Sequence, residues 1–266
     1  MTLTVFLASC AGDNEANRAG DSSSGKSTLM NITEEDATYT ADTVSANSFV
    51  AYETNKAGTR PVVLIIPEWW GLNEYVKMRA RELAKLGYFA MAVDMYGGRR
   101  VEAAPDEAGQ LAGPFYADTA LIFSRLSAAL ARAQSYPQAD ASKVAMMGYC
   151  FGGYISLMGA KLGLPLRGVV SFHGRLAGTE NTNAPVLICH GAADQTMSPE
   201  EVTDWRQRMD SLGATYTFRS YPGATHAFTN PGSTAAGKQF NMPIEYNAAA
   251  DTASWKEMKQ FFRQIF

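Results

Sequence analysis

Apolar positions along the chain fall into short unbroken runs separated by stretches with helical spacing. Pro61-Val-Val-Leu-Ile-Ile66 is continuous and rich in β-branched residues, the pattern of a central parallel strand buried on both faces. Phe89–Val93, Val144–Gly148, Gly168–Phe172, Ala184–Cys189 and Tyr216–Tyr221 read as further strands. Between them, Tyr75–Leu86, Ala117–Ala133, Ile155–Leu162, Pro199–Leu212 and Ala248–Ile265 read as helices, and Gly87 stops the first. Ala37–Ala41 and Ser48–Thr54 are short and partly polar, as in an edge hairpin. This alternation predicts an α/β fold over residues 31–266: one domain, with a mostly parallel sheet covered by helices on both faces.

The first 30 residues break the pattern. Residues 20–27, GDSSSGKS, match a phosphate-cradling loop letter for letter. That pattern works only where a buried strand feeds the loop and a helix leaves it. Cys10 to Ala19 contains no β-branched or aromatic run, and few large aliphatics follow Thr28, so the stretch reads as a solvated Ser/Gly linker and no nucleotide is expected. In front of it, the apolar run LTVFLAS ends at a cysteine, and Leu7-Ala8-Ser9-Cys10 resembles the bacterial lipoprotein processing box. The resemblance implies cleavage before Cys10, lipid on its thiol and a flexible tether behind it, hence attachment to the cell envelope or periplasmic membrane. No Lys or Arg precedes Arg18, so either the start lies upstream or the apolar run is fortuitous and the protein is cytoplasmic; the polar tether directly after Cys10 favours the lipoprotein.

A net charge of −3 over 266 residues offers no basic footprint for nucleic acid. Three cysteines make no disulfide framework, and a monomer is the default expectation.

One cysteine is placed for chemistry. Val144-Ala-Met-Met-Gly148-Tyr-Cys150-Phe-Gly152-Gly153 passes from strand to helix through Gly-x-Cys-x-Gly, a nucleophile elbow with cysteine in place of serine. A tight turn that lifts one side chain above a sheet needs small neighbours, and the helix N-terminus behind it favours thiolate. An elbow nucleophile needs an acid and then a histidine, each after a later strand. Asp194 follows the strand ending at Cys189, and His226 follows the strand ending at Tyr221. The three together predict a Cys-His-Asp triad that needs neither metal nor cofactor. His173 and His190 end different strands and read as polar loop anchors rather than metal ligands.

With Pro67-Glu68-Trp69-Trp70-Gly71 and Asp94-Met-Tyr96, these motifs resemble the dienelactone hydrolase family of α/β-hydrolases over about residues 47–265. The resemblance implies the α/β-hydrolase fold, with Cys150 as nucleophile, His226 as base and Asp194 as orienting acid. It implies that Glu68 lies beside the thiol and controls its ionisation. It also implies an oxyanion hole from the Trp69 and Phe151 backbone N–H groups, and substrate contacts from Trp69, Trp70, Tyr96 and Phe228. The expected reaction is hydrolysis of small activated esters or lactones through a thioester; the alternative is a non-catalytic, surface-anchored binding lipoprotein on the same fold. Family members that cleave dienelactones grip a carboxylate with two arginines. Residues 101–123 contain no basic residue here, and Asn230 stands past the catalytic histidine, so the clamp is expected to be missing. Arg99, Arg100 and Arg175 read as solvated loop charges.

Overall fold

The apolar run at 61–66 becomes β3 (Arg60–Ile66), at the centre of an eight-stranded sheet of order β1-β2-β4-β3-β5-β6-β7-β8. The computed structural model describes residues 31–178 and 184–266, so Cys10, the apolar run before it and the GDSSSGKS stretch lie outside the described residues. β1 (Ile32–Ala41) and β2 (Val44–Glu53) form an antiparallel edge hairpin, and β2 pairs antiparallel with β4 (Phe89–Ala92). The remaining pairings, through β5 (Ala139–Tyr149), β6 (Gly168–Phe172), β7 (Val186–Gly191) and β8 (Tyr216–Tyr221), are all parallel.

Side chains of β3 alternate between two cores, as the two-residue period of a strand requires. Val62, Leu64 and Ile66 face a layer built on α3 (Thr119–Gln134), α4 (Phe151–Lys161) and α5 (Pro199–Ser211). Val63 and Ile65 face α1 (Glu74–Lys85) and α7 (Ala248–Ile265). The strand sequence reads as unbroken apolar because both faces are dry.

Some elements differ from the sequence expectation. β1 starts at Ile32, where an acidic edge hides the alternation. The helix expected over 117–133 is α3, which starts at Thr119 because the Asp118 carboxylate accepts the Ala120 and Leu121 N–H groups as its cap. Before it lies α2 (Pro105–Ala117), unforeseen because Gly109, Gly113 and Pro114 are poor helix formers. α6 (Ser233–Phe240) was also unforeseen. Strand order reverses at β3, between β4 and β5, and a crevice opens at the carboxyl ends of strands at such a switch point. Glu68 follows β3 there, and Cys150 follows β5.

Candidate active site

The turn after β5 is built for one exposed thiol. A Cβ on Gly148 would lie 2.0 Å from the Gly152 carbonyl oxygen, and one on Gly152 would lie 2.2 Å from the Ile66 oxygen, so neither position admits a side chain. The chain reverses through Cys150 at φ 53° and ψ −117°, a conformation that costs a non-glycine residue of order 1–3 kcal/mol. The half-buried Cys150 thus sits at the N-terminus of α4, at the positive end of its dipole. Cys189 differs: it is buried, and desolvation pushes its thiol up to about 12.

His226 and Asp194 meet on the loops after β8 and β7. His226 Nδ1 lies 2.9 Å from Asp194 Oδ2. The other carboxylate oxygen accepts the Thr196 hydroxyl at 2.6 Å and the Thr196 N–H at 2.8 Å. Burial works to raise the Asp194 pKa, but His226 and the Thr196 bonds outweigh it and hold it at about 2. Burial likewise works against charge on His226; the adjacent Cys150 and Asp194 prevail and raise its pKa well above the ordinary histidine value. A parallel bridge to Ile244 fixes the His226 backbone, and Glu245 N–H donates to the Thr225 hydroxyl at 2.8 Å.

Cys150, His226, Glu68, Trp69, Trp70 and Phe151 line one cavity of about 360 Å³, mostly apolar, with Tyr116, Met242, Pro243 and Ile244 completing its walls. Glu68 is buried, and desolvation raises its carboxyl to about 7 against the opposing hydrogen bond from Asn230. Neither the Trp69 nor the Phe151 backbone N–H finds an acceptor among the described residues; Phe151 opens α4, where no helical carbonyl is in reach.

Two expected substrate contacts, Phe228 and Tyr96, lie outside the cavity lining. Phe228 is fully buried, its ring packed on Tyr221 and His173, and it is not among the cavity lining. Tyr96 is also outside the lining: its hydroxyl donates to the Trp69 carbonyl at 2.9 Å and its ring packs on Phe115 and Phe151, so it supports two wall residues. The arginines are not uniformly solvated either. Arg99 is bound to Asp36 and to the Asn47 carbonyl, and Arg100 pairs with Glu102 at 2.7 Å. Arg175 is exposed and lines the cavity, the one arginine among the described lining residues.

Thr196, Thr229 and the Met242–Ile244 wall escaped the sequence reading, and His173 was read only as a polar loop anchor. A threonine two residues after an expected catalytic acid was the available signal for Thr196; no comparable signal marks the others. His190 is buried with its ring 5.6 Å from Phe218, and among the described residues no group of three potential metal ligands converges.

The model of the dienelactone hydrolase family matches residues 48–266. The "Putative carboxymethylenebutenolidase" of Methylorubrum extorquens is 28% identical over 224 residues, covering 79% of this chain and 74% of its own. Among solved structures, the dienelactone hydrolase-like promiscuous phosphotriesterase P91 from metagenomic libraries is 33% identical with a TM-score of 0.83, covering 88% of this chain and 99% of its own. A second structure, m3DLH, shares 29% identity and the same TM-score of 0.83 over 88% of this chain and 99% of its own.

Proposed function

Because the chain belongs to the dienelactone hydrolase family and is a carboxylic ester hydrolase, we propose that it hydrolyses small activated esters or lactones through Cys150, His226 and Asp194. The observation that carries this reading is the 2.9 Å contact of His226 with Asp194 at a cavity that also holds the Cys150 thiol. Asp194 fixes the imidazole with its proton on Nδ1, which leaves Nε2 to take the thiol proton. The thiolate attacks the ester carbonyl, and the Trp69 and Phe151 N–H groups stabilise the oxyanion. The intermediate collapses to a thioester as the alkoxide leaves with the proton from His226. Water, deprotonated by His226, then attacks the thioester, and the acid leaves as Cys150 is regenerated. The mostly apolar walls and the good leaving-group character of thiolate suit aryl esters, enol lactones and thioesters. Glu68, beside this chemistry with its carboxyl at about 7, is suited to exchanging a proton with the thiol.

The test is p-nitrophenyl acetate: a burst of p-nitrophenol equal to the enzyme concentration, and one-to-one alkylation at Cys150 that abolishes turnover. A binding protein on this fold would give no burst. A second reading, cleavage of phosphotriesters, is favoured by the 33% identity to P91 and by two N–H groups with no acceptor among the described residues, which suit a phosphoryl oxygen as well as a carbonyl one. Paraoxon turnover that disappears in Cys150→Ala supports it, and no turnover removes it.

A further inference from the structure

His173 is buried, 2% exposed, and sits at φ 41°, a left-handed conformation that a bulky residue adopts only when its surroundings hold it there. Its Nδ1 accepts the Cys150 backbone N–H at 3.1 Å, a donor shared with the Phe172 carbonyl at 3.0 Å. Its Nε2 lies 2.7 Å from the Thr229 hydroxyl, which in turn lies 2.7 Å from the Tyr75 hydroxyl. The Thr229 carbonyl accepts Arg79 Nη2 at 2.9 Å, and Arg79 is anchored by Asp251. An acceptor at Nδ1 requires the proton on Nε2, so the imidazole is neutral and donates to Thr229. Its ring stands edge-on to His226, with centroids 5.4 Å apart, and to Phe228.

The consequence is mechanical. Cys150 and the histidine loop come from segments well separated in the sequence, and each is strained: Cys150 at φ 53° and Ala227, next to His226, at φ 57°. His173 is the side chain that hydrogen-bonds to both, to Cys150 at its own N–H and to the histidine loop three residues after His226. Holding the Cys150 N–H fixes the plane before the nucleophile, and with it the direction of Sγ and of the Phe151 N–H that follows. We propose that His173, working through Thr229, is a positioning residue for acyl transfer: it ties the nucleophile turn to the loop of the general base and keeps sulfur, imidazole and oxyanion donor in register. It takes no proton from the substrate and does not line the cavity. The inference rests on Cys150 being the nucleophile.

Amide side chains separate its two contacts, because the asparagine oxygen replaces Nδ1 and the glutamine terminus replaces Nε2. His173→Asn keeps an acceptor for Cys150 and loses Thr229; His173→Gln does the reverse; Thr229→Val removes the hydroxyl at constant shape and Thr229→Ser keeps it. Stopped-flow p-nitrophenyl acetate assays, with active sites titrated by alkylation and melting temperatures recorded, give the readout. Misplacing reacting groups by about 1 Å costs roughly 100-fold in rate, so His173→Gln and Thr229→Val should lose about 10–100-fold in acylation rate per titrated site, with KM within about threefold. Thr229→Ser should stay within about threefold of the parent. Should His173→Gln fail to fold, Thr229→Val and Thr229→Ser carry the comparison. Full acylation rate per titrated site in Thr229→Val, or equal loss in Thr229→Ser and Thr229→Val, overturns the proposal. Turnover surviving complete alkylation of Cys150 fails the nucleophile reading itself, a result separate from either of these.

Discussion

Asn230 Nδ2 donates to Glu68 Oε2 at 2.6 Å; Glu68 lines both the cavity that holds Cys150 and a second cavity beside it, and Asn230 lines the second. The family resemblance implies an arginine just past the histidine in members with the carboxylate clamp, where this chain reads Thr229-Asn230, and the difference changes the charge balance at Glu68. An arginine would pair with the carboxylate and hold it ionised; an amide donates one neutral hydrogen bond and leaves burial in control, so the carboxyl rises to about 7.

That shift has a signed consequence for stability. The folded-state value of about 7 lies above the ordinary 4.5, so between these values the folded protein binds a proton that the unfolded chain releases. Unfolding free energy therefore falls as pH rises from about 4.5 to about 7, and this part of the slope is absent in Glu68→Gln. Urea unfolding at a series of pH values across that window measures it. Identical slopes in the two proteins would show that Glu68 is ionised in the fold.

The thiol is matched to its surroundings more closely than a hydroxyl can be. Cys150→Ala should fold normally and lose ester turnover. Cys150→Ser should lose at least about 100-fold in kcat, because a serine hydroxyl lacks the low intrinsic pKa that lets a thiol ionise beside an imidazole. Steady-state rates on p-nitrophenyl acetate, corrected for folded fraction by circular dichroism, decide it; full activity in the alanine variant removes the mechanism.

Asp194 acts on His226 through orientation and charge. Asp194→Asn presents an amide to Nδ1 and favours the wrong tautomer, so kcat should fall by about 10⁴ with little change in KM. Thr196→Val leaves Asp194 with its imidazole contact but removes the hydroxyl bond at 2.6 Å, and should cost about 3–10-fold. The linkage sign is opposite to that of Glu68. The Asp194 value of about 2 lies below the ordinary 3.8, so its stabilising contribution is complete above about 3.8 and is lost as pH falls through about 2. Acid unfolding should begin at higher pH in Asp194→Asn.

The frame of the site was legible because its requirements are local. A doubly buried strand must be apolar throughout, and an elbow must have glycine at 148 and 152, so β3, β5 and Cys150 could be read directly. Asp194 and His226 were legible through chain order and strand ends. What stayed hidden depends on contacts between distant segments. Phe228 next to a catalytic loop reads as a substrate contact until its ring is seen against Tyr221 and His173. His173 reads as an ordinary loop anchor until its two ring nitrogens are seen to bridge Cys150 and Thr229. The Met242–Ile244 wall has no periodicity, and its bridge to His226 with the adjacent Glu245–Thr225 hydrogen bond brings it to the cavity.

The lipid anchor expected at Cys10 is tested in cells. Full-length protein should partition into the detergent-soluble membrane fraction, and Cys10→Ser should release it, since stable anchoring takes more than one acyl chain and Cys10 would have to carry several. Soluble protein with Met1 intact would remove the anchor.

Substrate charge is the sharpest test of the departures from the family. Arg99 and Arg100 are held by Asp36 and Glu102, which leaves Arg175, an exposed side chain at the rim. A solvated arginine contributes at most about 1 kcal/mol to an ion pair, whereas a bidentate clamp in a dry pocket gives about 1.5–3 kcal/mol. Glu68 lines the same cavity and adds an acid, not a cation, to it. Neutral aryl or short-chain acyl esters should therefore exceed a carboxylate-bearing dienelactone in kcat/KM by at least about tenfold, and Arg175→Ala should shift that ratio by less than about fivefold. Asn230→Arg should narrow the gap, because it restores a cation next to Glu68. The deciding comparison is one dienelactone against its own methyl ester on the same preparation. A preference for the free acid that disappears in Arg175→Ala would make the rim arginine the clamp and reverse the substrate assignment.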